Sequence, residues 1–315
     1  MKAIVCTKYG PPEVLQLREV EKPTPKNNEV LIKVYATAVT ASDCLMRRSD
    51  LPLIMSLGRG LAAGFKKPRR PVWGAVVAGE IEAVGIDVKL FKKGDQVYGS
   101  TGLRLGAYAE YACIPEAKLL TGCLAIKPST MSYEEAAAVP YGALLASHFM
   151  DKGNIRSGQK VLVYGASGAI GTTAVQLAKY LGAEVTAVCS TTNLALVKSL
   201  GADKVIDYTR DDSLSSLELY DFVFDAVGKR KSSKLKLQCK NALTQTGKYA
   251  SVDGGMPWPR AEYLVRLKEI IEAGQFKAVI DRCYPLEQMA EAHRYVDQGH
   301  KKGNVIITVE HSHKT

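Results

Sequence analysis

The stretch Lys160-Val161-Leu162-Val163-Tyr164-Gly165-Ala166-Ser167-Gly168-Ala169-Ile170-Gly171 decides the fold of this chain. Its first five residues are typical of a buried strand, and glycines then interrupt the apolar run. Beyond the glycines, apolar residues recur at helical spacing up to Gly182, a residue type that commonly ends helices. A second apolar strand follows, from Glu184 to Cys189. The stretch therefore predicts a strand, a tight turn, a helix and another strand.

The same alternation continues on both sides of this unit, from about Lys127 to Gly274. Further strands are predicted at Lys204 to Asp207, Asp221 to Val227 and Lys248 to Val252, with helices at Asn193 to Leu200 and Ala261 to Ala273. Strands that alternate with helices favour a parallel sheet with helices packed on it. We therefore expect half or more of a doubly wound α/β sheet.

The glycine turn predicts a phosphate site. A turn between a strand and a helix directs free backbone N–H groups and the helix dipole at one place, where minimal side chains let a pyrophosphate approach. The spacing is GxxGxxG instead of the commoner GxGxxG, but its place between strand and helix supports a dinucleotide site. A glycine-lined turn without a ligand is the alternative. The residues predicted to bind the cofactor here are Gly165, Ala166, Ser167, Gly168, Ala169, Ile170 and Gly171.

The end of the next strand indicates which dinucleotide is bound. An acidic residue there would bind the ribose 2′-hydroxyl of NAD(H), but this chain has Cys189-Ser190-Thr191-Thr192-Asn193. Hydroxyls favour the 2′-phosphate of NADP(H) instead, although no arginine is present and the same hydroxyls could cap a helix. The cofactor residues predicted around this position are Ser190, Thr191, Thr192, Asn193, Lys198 and Tyr208, with Val227 at the end of a later strand.

The remainder of the chain has a different sequence pattern. Short strands broken by glycine and proline favour an antiparallel, barrel-like domain. We expect these strands at Ala3 to Cys6, Val30 to Ala36, Ala75 to Val84, Asp95 to Tyr98 and Ala107 to Ile114, and short elements after Gly274 at Ala278 to Asp281, Glu287 to Val296 and Asn304 to Val309. A chain of 315 residues exceeds the usual size of one core. The predicted domains are a catalytic domain at 1–122, a dinucleotide domain at 123–274, and a return to the first domain at 275–315.

Composition excludes several classes. The chain has no apolar run long enough to span a bilayer and no signal-peptide pattern, so we expect a cytoplasmic protein. Seven scattered cysteines show neither disulfide nor zinc-knot spacing, and Cys189 is expected to be a small buried hydrophobe. The net charge is +10, with its densest basic cluster at Lys66, Lys67, Arg69 and Arg70. Without a nucleic-acid motif, we interpret that cluster as a solvated loop or as attraction for an anionic cofactor.

The chain as a whole resembles the medium-chain dehydrogenase/reductase superfamily, in its zinc-free quinone oxidoreductase branch. The resemblance rests on the glycine turn and on Gly10 to Leu15, Ala78 to Gly85, Phe91 to Gly99, Gly106 to Tyr111, Glu135 to Pro140, Ser199 to Asp203 and Gly303 to Val305. It implies a GroES-like β-barrel domain joined to a Rossmann domain, and often a homodimer.

The resemblance also bears on metal use and on the reaction. Zinc-using members have a cysteine where this chain has Thr40 and a histidine where it has Ala75, so no metal site is expected. Without a metal, the chemistry best supported is hydride delivery from NADP(H) to an electron-poor carbon of a quinone, an enone or a similar small carbonyl compound.

The sequence also offers several candidate catalytic residues. The candidates are Asp43, Thr40 and Tyr141, and Tyr98 is a lesser one; Asp43 could equally cap a short helix. Relatives often differ at Thr40-Ala41, Val76 and Leu145, and they have a longer segment where this chain runs from Gly254 to Arg260. These departures keep open an alternative function, an NADPH-binding sensor or structural protein with little turnover.

Overall fold

The computed structural model of the chain describes residues 1–116, 122–230, 233–255 and 260–311. The described residues form two compact units, one within Met1–Tyr141, Trp258–Glu269 and Ile280–Thr315, the other within Gly142–Pro257 and Ile270–Val279. The first division thus follows Tyr141, whereas the predicted boundary followed position 122. The predicted short connection from Gly254 to Arg260 includes residues 256–259, which lie outside the described residues.

The elements alternate between the two units as the chain proceeds. The strands are β1 (Lys2–Cys6), β2 (Leu15–Glu19), β3 (Glu29–Val39), β4 (Val76–Val84), β5 (Gln96–Ser100), β6 (Tyr111–Pro115), β7 (Cys123–Ile126), β8 (Lys160–Tyr164), β9 (Glu184–Cys189), β10 (Lys204–Asp207), β11 (Tyr220–Asp225), β12 (Leu243–Ser251), β13 (Ile280–Pro285) and β14 (Asn304–Thr308). The α-helices are α1 (Ala41–Arg47), α2 (Leu53–Ala63), α3 (Tyr133–Ala137), α4 (Pro140–Gly153), α5 (Ala169–Tyr180), α6 (Leu194–Ser199), α7 (Lys234–Asn241), α8 (Ala261–Glu272) and α9 (Met289–Asp297).

The first unit contains the antiparallel sheet that the short strands predicted. Its strand order is β13-β14-β3-β4-β5-β7, with β6 also paired to β3, and every pairing except β13 with β14 is antiparallel. Strand β3 is buried along most of its length, and Val30, Ile32 and Val34 share one core because alternate side chains of a strand point to the same face. The core of this unit contains Ile4, Val30, Ile32, Trp73, Ile81, Tyr108 and Ile114.

Two predicted strands of this unit are displaced. The strand expected at Ala107 to Ile114 begins only at Tyr111, because the backbone N–H of Tyr108 donates to the Trp73 carbonyl in a turn that follows Gly106 at φ +112°. The strand expected at Ala278 to Asp281 is observed at Ile280–Pro285.

The second unit contains the predicted parallel sheet, in the order β10-β9-β8-β11-β12 with all pairs parallel. Strands β8, β9 and β10 have the predicted bounds. The order reverses at β8, which pairs with β9 on one side and with β11 on the other, and ligands of such sheets bind at the carboxyl ends of the strands at this switch point. The glycine turn follows β8 and so lies at that place.

Helix α5 covers the sheet through an apolar face that includes Ala174, Val175 and Leu177. It ends at Tyr180, and Gly182, the residue predicted to end it, follows the C-cap Leu181 with φ +80° and donates its N–H to the Lys179 carbonyl. Cys189 is buried, as expected. Among the described residues, the helices include none with the length and apolar character needed to cross a bilayer.

Candidate functional site

The glycine turn begins at a residue whose conformation requires glycine. Gly165 has φ +79°, and a Cβ added there would lie 2.4 Å from Cγ2 of Val227. The backbone N–H groups of Gly165 and Ala166 both donate to the Val188 carbonyl at 3.0 Å. The turn is therefore fixed against the end of β9, with Val227 packed on its other side.

The turn leads directly into the amino end of α5. Gly168 is the N-cap residue, and within the described residues no side chain caps the helix there. A Cβ at Gly171 would lie 2.2 Å from the Gly165 carbonyl oxygen, so the first helical turn packs against the backbone of the glycine turn. An uncapped helix start with minimal side chains leaves N–H groups and the positive end of the helix dipole open to an anion. These residues fit the pyrophosphate of a dinucleotide.

A polar loop stands beside the turn, where the adenosine ribose was expected. The Asn193 side-chain nitrogen donates to the Ser167 hydroxyl at 3.1 Å and to the Ser190 hydroxyl at 3.0 Å. The Ser190 and Thr192 hydroxyls are 3.3 Å apart. The Asn193 Oδ1 atom is buried without a hydrogen-bond partner among the described residues. Because a buried acceptor without a partner is costly, this atom fits a ligand hydroxyl.

An acidic residue that the sequence analysis missed lies at the same loop. The Thr191 hydroxyl donates to Oδ2 of Asp207 at 2.5 Å and lies 2.8 Å from the Thr209 hydroxyl. Burial raises the pKa of Asp207, but hydrogen bonds from Thr191 and Thr209 outweigh it and hold that pKa below its usual value. The carboxylate is therefore ionised, and the Thr191 hydroxyl is already engaged.

The other predicted cofactor residues are placed unevenly. Tyr208 follows Asp207, donates its backbone N–H to the Cys189 carbonyl at 3.0 Å and has a half-exposed side chain. Val227 contacts the glycine turn, as described above. Lys198 is exposed in the last turn of α6. The structure thus brings Tyr208 and Val227 to the loops at the carboxyl edge, and it leaves Lys198 on the surface of the following helix.

A second acid, Asp225, organises the loop after β11. Its Oδ1 accepts the backbone N–H groups of Val227 and Gly228 at 3.0 and 3.1 Å. Its Oδ2 forms an ion pair of 2.8 Å with Lys236 and accepts the Tyr249 hydroxyl at 3.1 Å. Asp225 is buried, so these donors replace the water that the carboxylate loses. The contact between Val227 and the glycine turn depends on this loop.

In the first unit, Thr40 and Asp43 form a capping box at the start of α1. Thr40 accepts the Asp43 N–H at 3.1 Å, and Oδ2 of Asp43 accepts the Thr40 N–H at 2.9 Å and its hydroxyl at 2.5 Å. Both residues are buried. Burial raises the pKa of Asp43 to about 6, although hydrogen bonds from Thr40 and Tyr108 lower it. The capping alternative for Asp43 is thus what the geometry displays, and a catalytic role for either residue stays a prediction.

Ser42 lies between Thr40 and Asp43 in the sequence, but its hydroxyl contacts a tyrosine distant in the chain. The hydroxyls of Ser42 and Tyr141 lie 3.0 Å apart, and both side chains are only partly buried. Two hydroxyls at this distance can share one proton with each other and donate the other outward. Tyr98, in contrast, is fully buried and donates its hydroxyl to the Leu264 carbonyl at 2.7 Å. Ser42 was not a sequence candidate, because nothing in its neighbourhood revealed the distant tyrosine.

A buried polar cluster lies behind α1. The Nδ1 atom of His293 is 3.4 Å from the Cys44 sulfur, and its Nε2 atom is buried without a partner in the described part of the chain. Burial, assisted by the charge of Arg47, lowers the pKa of His293 to about 3. Burial raises the pKa of Cys44 well above its usual value. Both groups are therefore neutral, as structural rather than nucleophilic residues are.

Across residues 1–116, 122–230, 233–255 and 260–311, no group of three or more histidine, cysteine, aspartate or glutamate side chains could hold a metal ion.

Known proteins resemble the chain in both sequence and structure. Residues 26–124 match the family described as Alcohol dehydrogenase GroES-like domain, and residues 169–283 match Zinc-binding dehydrogenase. The 2-methylene-furan-3-one reductase of Solanum lycopersicum is 34% identical over 98% of this chain and 79% of its own length. The NADPH-dependent alkenal/one oxidoreductase of Arabidopsis thaliana chloroplasts is 32% identical with the same coverage. The quinone oxidoreductase structure from Coxiella burnetii aligns with a TM-score of 0.84 at 27% identity, over 98% of this chain and 99% of that chain.

Proposed function

Since the chain belongs to the medium-chain dehydrogenase/reductase superfamily as a quinone oxidoreductase-like member, we propose that it is a zinc-independent, NADP(H)-dependent reductase of quinones, enones or similar small carbonyl compounds. Its fold is a GroES-like domain plus a Rossmann-type parallel-sheet domain. One observation carries the proposal: the uncapped start of α5 meets a glycine turn so tight that a methyl group at Gly171 would strike the backbone. A cytoplasmic location and a homodimer stay predictions.

The cofactor site uses the second unit. The N–H groups at the start of α5 bind the pyrophosphate, and the buried Oδ1 of Asn193 accepts a hydroxyl of the adenosine ribose. Ser190 and Thr192 supply donors for a 2′-phosphate, while the Asp207 carboxylate opposes it. The nicotinamide, when bound, supplies a hydride. The preference for NADP(H) thus rests on Ser190 and Thr192 outweighing Asp207, and the names of relatives such as the NADPH-dependent alkenal/one oxidoreductase support it.

The substrate carbonyl is bound by the hydroxyl pair of Ser42 and Tyr141. As negative charge develops on a carbonyl oxygen, a donated O–H hydrogen bond stabilises it. The capping box of Thr40 and Asp43 stabilises the first turn of α1, which carries Ser42. The tyrosine hydroxyl, linked to Ser42 at 3.0 Å, holds the proton that can pass to the product oxygen.

Zinc independence rests on the residues at the positions where zinc-using relatives have ligands. The Thr40 hydroxyl donates to Asp43, and Ala75 has no ligating atom. The family description Zinc-binding dehydrogenase matches residues 169–283, a range that contains neither position. We therefore expect a chelator to leave activity unchanged.

Titration of the purified chain with NADPH and NADH, followed by absorbance of the reduced nicotinamide with quinone and enone acceptors, tests the proposal. We expect tighter NADPH binding and oxidation by at least one acceptor class, before and after chelation. Preference for NADH would reject the interpretation of Ser190 and Thr192. Loss of activity on chelation would reject zinc independence.

A second candidate is a dinucleotide-binding sensor or structural protein. The observation that favours it is the burial of both Thr40 and Asp43 in a capping box, which leaves few polar groups of this segment for chemistry. Tight NADPH binding without oxidation by any acceptor would favour this candidate over the reductase.

A further inference from the structure

Helix α2 exposes an apolar stripe. Leu53, Leu57 and Leu61 follow one another at four-residue spacing, which places them on one face of the helix, and Phe65 continues the spacing just beyond its end. Their exposed fractions are 85%, 56%, 64% and 55%. Single exposed apolar residues are ordinary, but three leucines exposed on one helix face, with an exposed phenylalanine after the helix, indicate an interaction site.

An ordinary surface helix buries its apolar face and exposes its polar face, whereas α2 does the reverse. Its Arg59 is buried, stacks over the Tyr9 ring at 3.7 Å and donates to the Arg48 carbonyl, while the leucines face solvent. Tyr9 also donates its hydroxyl to the Gly64 carbonyl at 2.7 Å. These contacts fix the polar face against the protein. Helix α2 is therefore attached to the protein through its polar face, and the attached helix directs its apolar face to solvent.

Positive charge lies immediately beside the stripe. Lys66, Lys67, Arg69 and Arg70 are all exposed and follow Phe65 within five residues. No acidic residue occurs from position 51 to position 79, so the charged residues of this segment are all basic. The basic cluster is held to the helix, because the Arg69 backbone N–H donates to the Ala63 carbonyl at 2.7 Å and its guanidinium to the Leu61 carbonyl at 3.1 Å.

We propose that α2 and the basic cluster at positions 66–70 bind the protein peripherally to an anionic phospholipid bilayer. A helix with leucines on one face and adjacent lysines and arginines lies in the interface, with the leucines among the acyl chains and the cations at the headgroups. The helix spans about 16 Å, which suits an in-plane orientation. Charge complementarity selects this occupant: a second copy of the chain would bring a like-charged basic cluster to the same place.

Vesicle flotation of the full chain tests this surface. We expect binding to vesicles of equal parts phosphatidylcholine and phosphatidylglycerol, weakened by salt, and little binding to phosphatidylcholine alone. The double variants Leu57→Gln/Leu61→Gln and Lys66→Gln/Lys67→Gln should each weaken binding roughly tenfold or more. In Phe65→Trp, brominated lipid in the mixed vesicles should quench the added fluorescence.

Matched controls come from α7. Leu237 is 58% exposed, close to Leu57, and Lys234 and Lys240 are exposed on the same helix. Leu237→Gln and Lys234→Gln/Lys240→Gln should bind vesicles as the unchanged protein does. The proposal is overturned by absent flotation, by equal binding to neutral and anionic vesicles, by equal losses in the controls, or by self-association that Leu57→Gln/Leu61→Gln abolishes without any lipid binding.

Discussion

The hydroxyl of Thr191 donates to the carboxylate of Asp207 at 2.5 Å, which places a negative charge beside the loop proposed to bind the adenosine ribose. Strands β9 and β10 are parallel and in register, with Cys189 opposite Asp207, so their following loops share one edge. Cofactor preference is therefore a balance between hydroxyl donors on one loop and an acid on the next.

Removing that acid should shift the preference further toward NADPH. We expect Asp207→Asn to raise the ratio of NADPH to NADH affinity by about fivefold, equivalent to the roughly 1 kcal/mol between two unit charges near contact in water. Binding titrations with both dinucleotides measure the ratio. Asp203→Asn removes the same charge before the other end of β10, and it should leave the ratio unchanged. An unchanged ratio in Asp207→Asn would show that the carboxylate lies too far from the ribose to matter.

Substitutions of two glycines in the turn should have different effects, one on stability and the other on dinucleotide binding. A Cβ at Gly171 meets backbone at 2.2 Å, whereas the nearest atom to a Cβ at Gly168 is 3.7 Å away. Gly171→Ala should therefore lower the free energy of unfolding by about 1–3 kcal/mol. Gly168→Ala should change it by less than about 1 kcal/mol but weaken dinucleotide binding roughly tenfold, since its methyl group crowds the pyrophosphate. Denaturant unfolding and titration distinguish the two; full NADPH affinity in Gly168→Ala would contradict the proposed site.

The hydroxyl pair in the first unit should affect turnover. Ser42→Ala and Tyr141→Phe are each expected to lower kcat for enone reduction roughly tenfold to a hundredfold, because each removes a donor to the developing oxyanion. Thr40→Val should instead destabilise the fold by about 1–2 kcal/mol through the lost cap, with kcat of the folded enzyme near that of the unchanged protein.

Thr40→Ser is the conservative control, because serine can restore the cap and therefore the stability. Steady-state kinetics beside unfolding curves separate these roles. A large fall in kcat for the folded Thr40→Val protein would contradict a purely stabilising role for Thr40.

Stability should depend on pH through Asp43. Burial raises its pKa to about 6 from an ordinary value of 3.8, so the folded state retains a proton that the unfolded state releases between those values. Its contribution to the free energy of unfolding is therefore greatest at low pH and declines by up to about 3 kcal/mol as pH rises from about 4 through 6. Asp43→Asn lacks this titration, so the difference in unfolding free energy between the two proteins should fall with pH.

His293 changes stability with pH in the direction opposite to Asp43. Its lowered pKa, about 3, means that the histidine must be neutral in the folded state, so stability is lost as pH falls below about 6.5. Both proteins in the Asp43 comparison retain His293, and its effect cancels in the difference. Denaturant unfolding between about pH 4 and pH 7 supplies the measurement, and a difference that does not change with pH would contradict the assignment.

The sequence predicts the bounds of strands β8, β9 and β10 better than those of the edge strand β12. Strands β8 to β10 are buried apolar runs bounded by turns, and their bounds are those expected. Strand β12 was expected to begin at Lys248 but begins at Leu243. Its first residues include polar Thr244 and Gln245, and its pairing with β11 is irregular, so no apolar pattern marks them. Edge strands are not required to be apolar.

Non-local pairing explains the other differences. Cys123 to Ile126 lie beyond the predicted boundary of the first domain, yet they pair with β5 in its sheet. The Asp207 side chain was not predicted, because the acid that binds the ribose is expected at the end of β9 and Asp207 lies at the end of β10. The signal was present, however: two successive parallel strands that end together bring both following loops to one edge. The contact of Ser42 with Tyr141 spans 99 positions, and spacing alone does not reveal such a contact.

The pairing of β14 with β3 sets the order in which the units can form during synthesis. The central strand of the antiparallel sheet waits for a partner that leaves the ribosome only after the whole parallel sheet has been made. Until then, residues 36–39 of β3 lack the partner that they have in the finished sheet, and an unpaired strand segment is an aggregation hazard for a nascent chain. Translation speed and chaperone supply should therefore affect the yield of soluble protein.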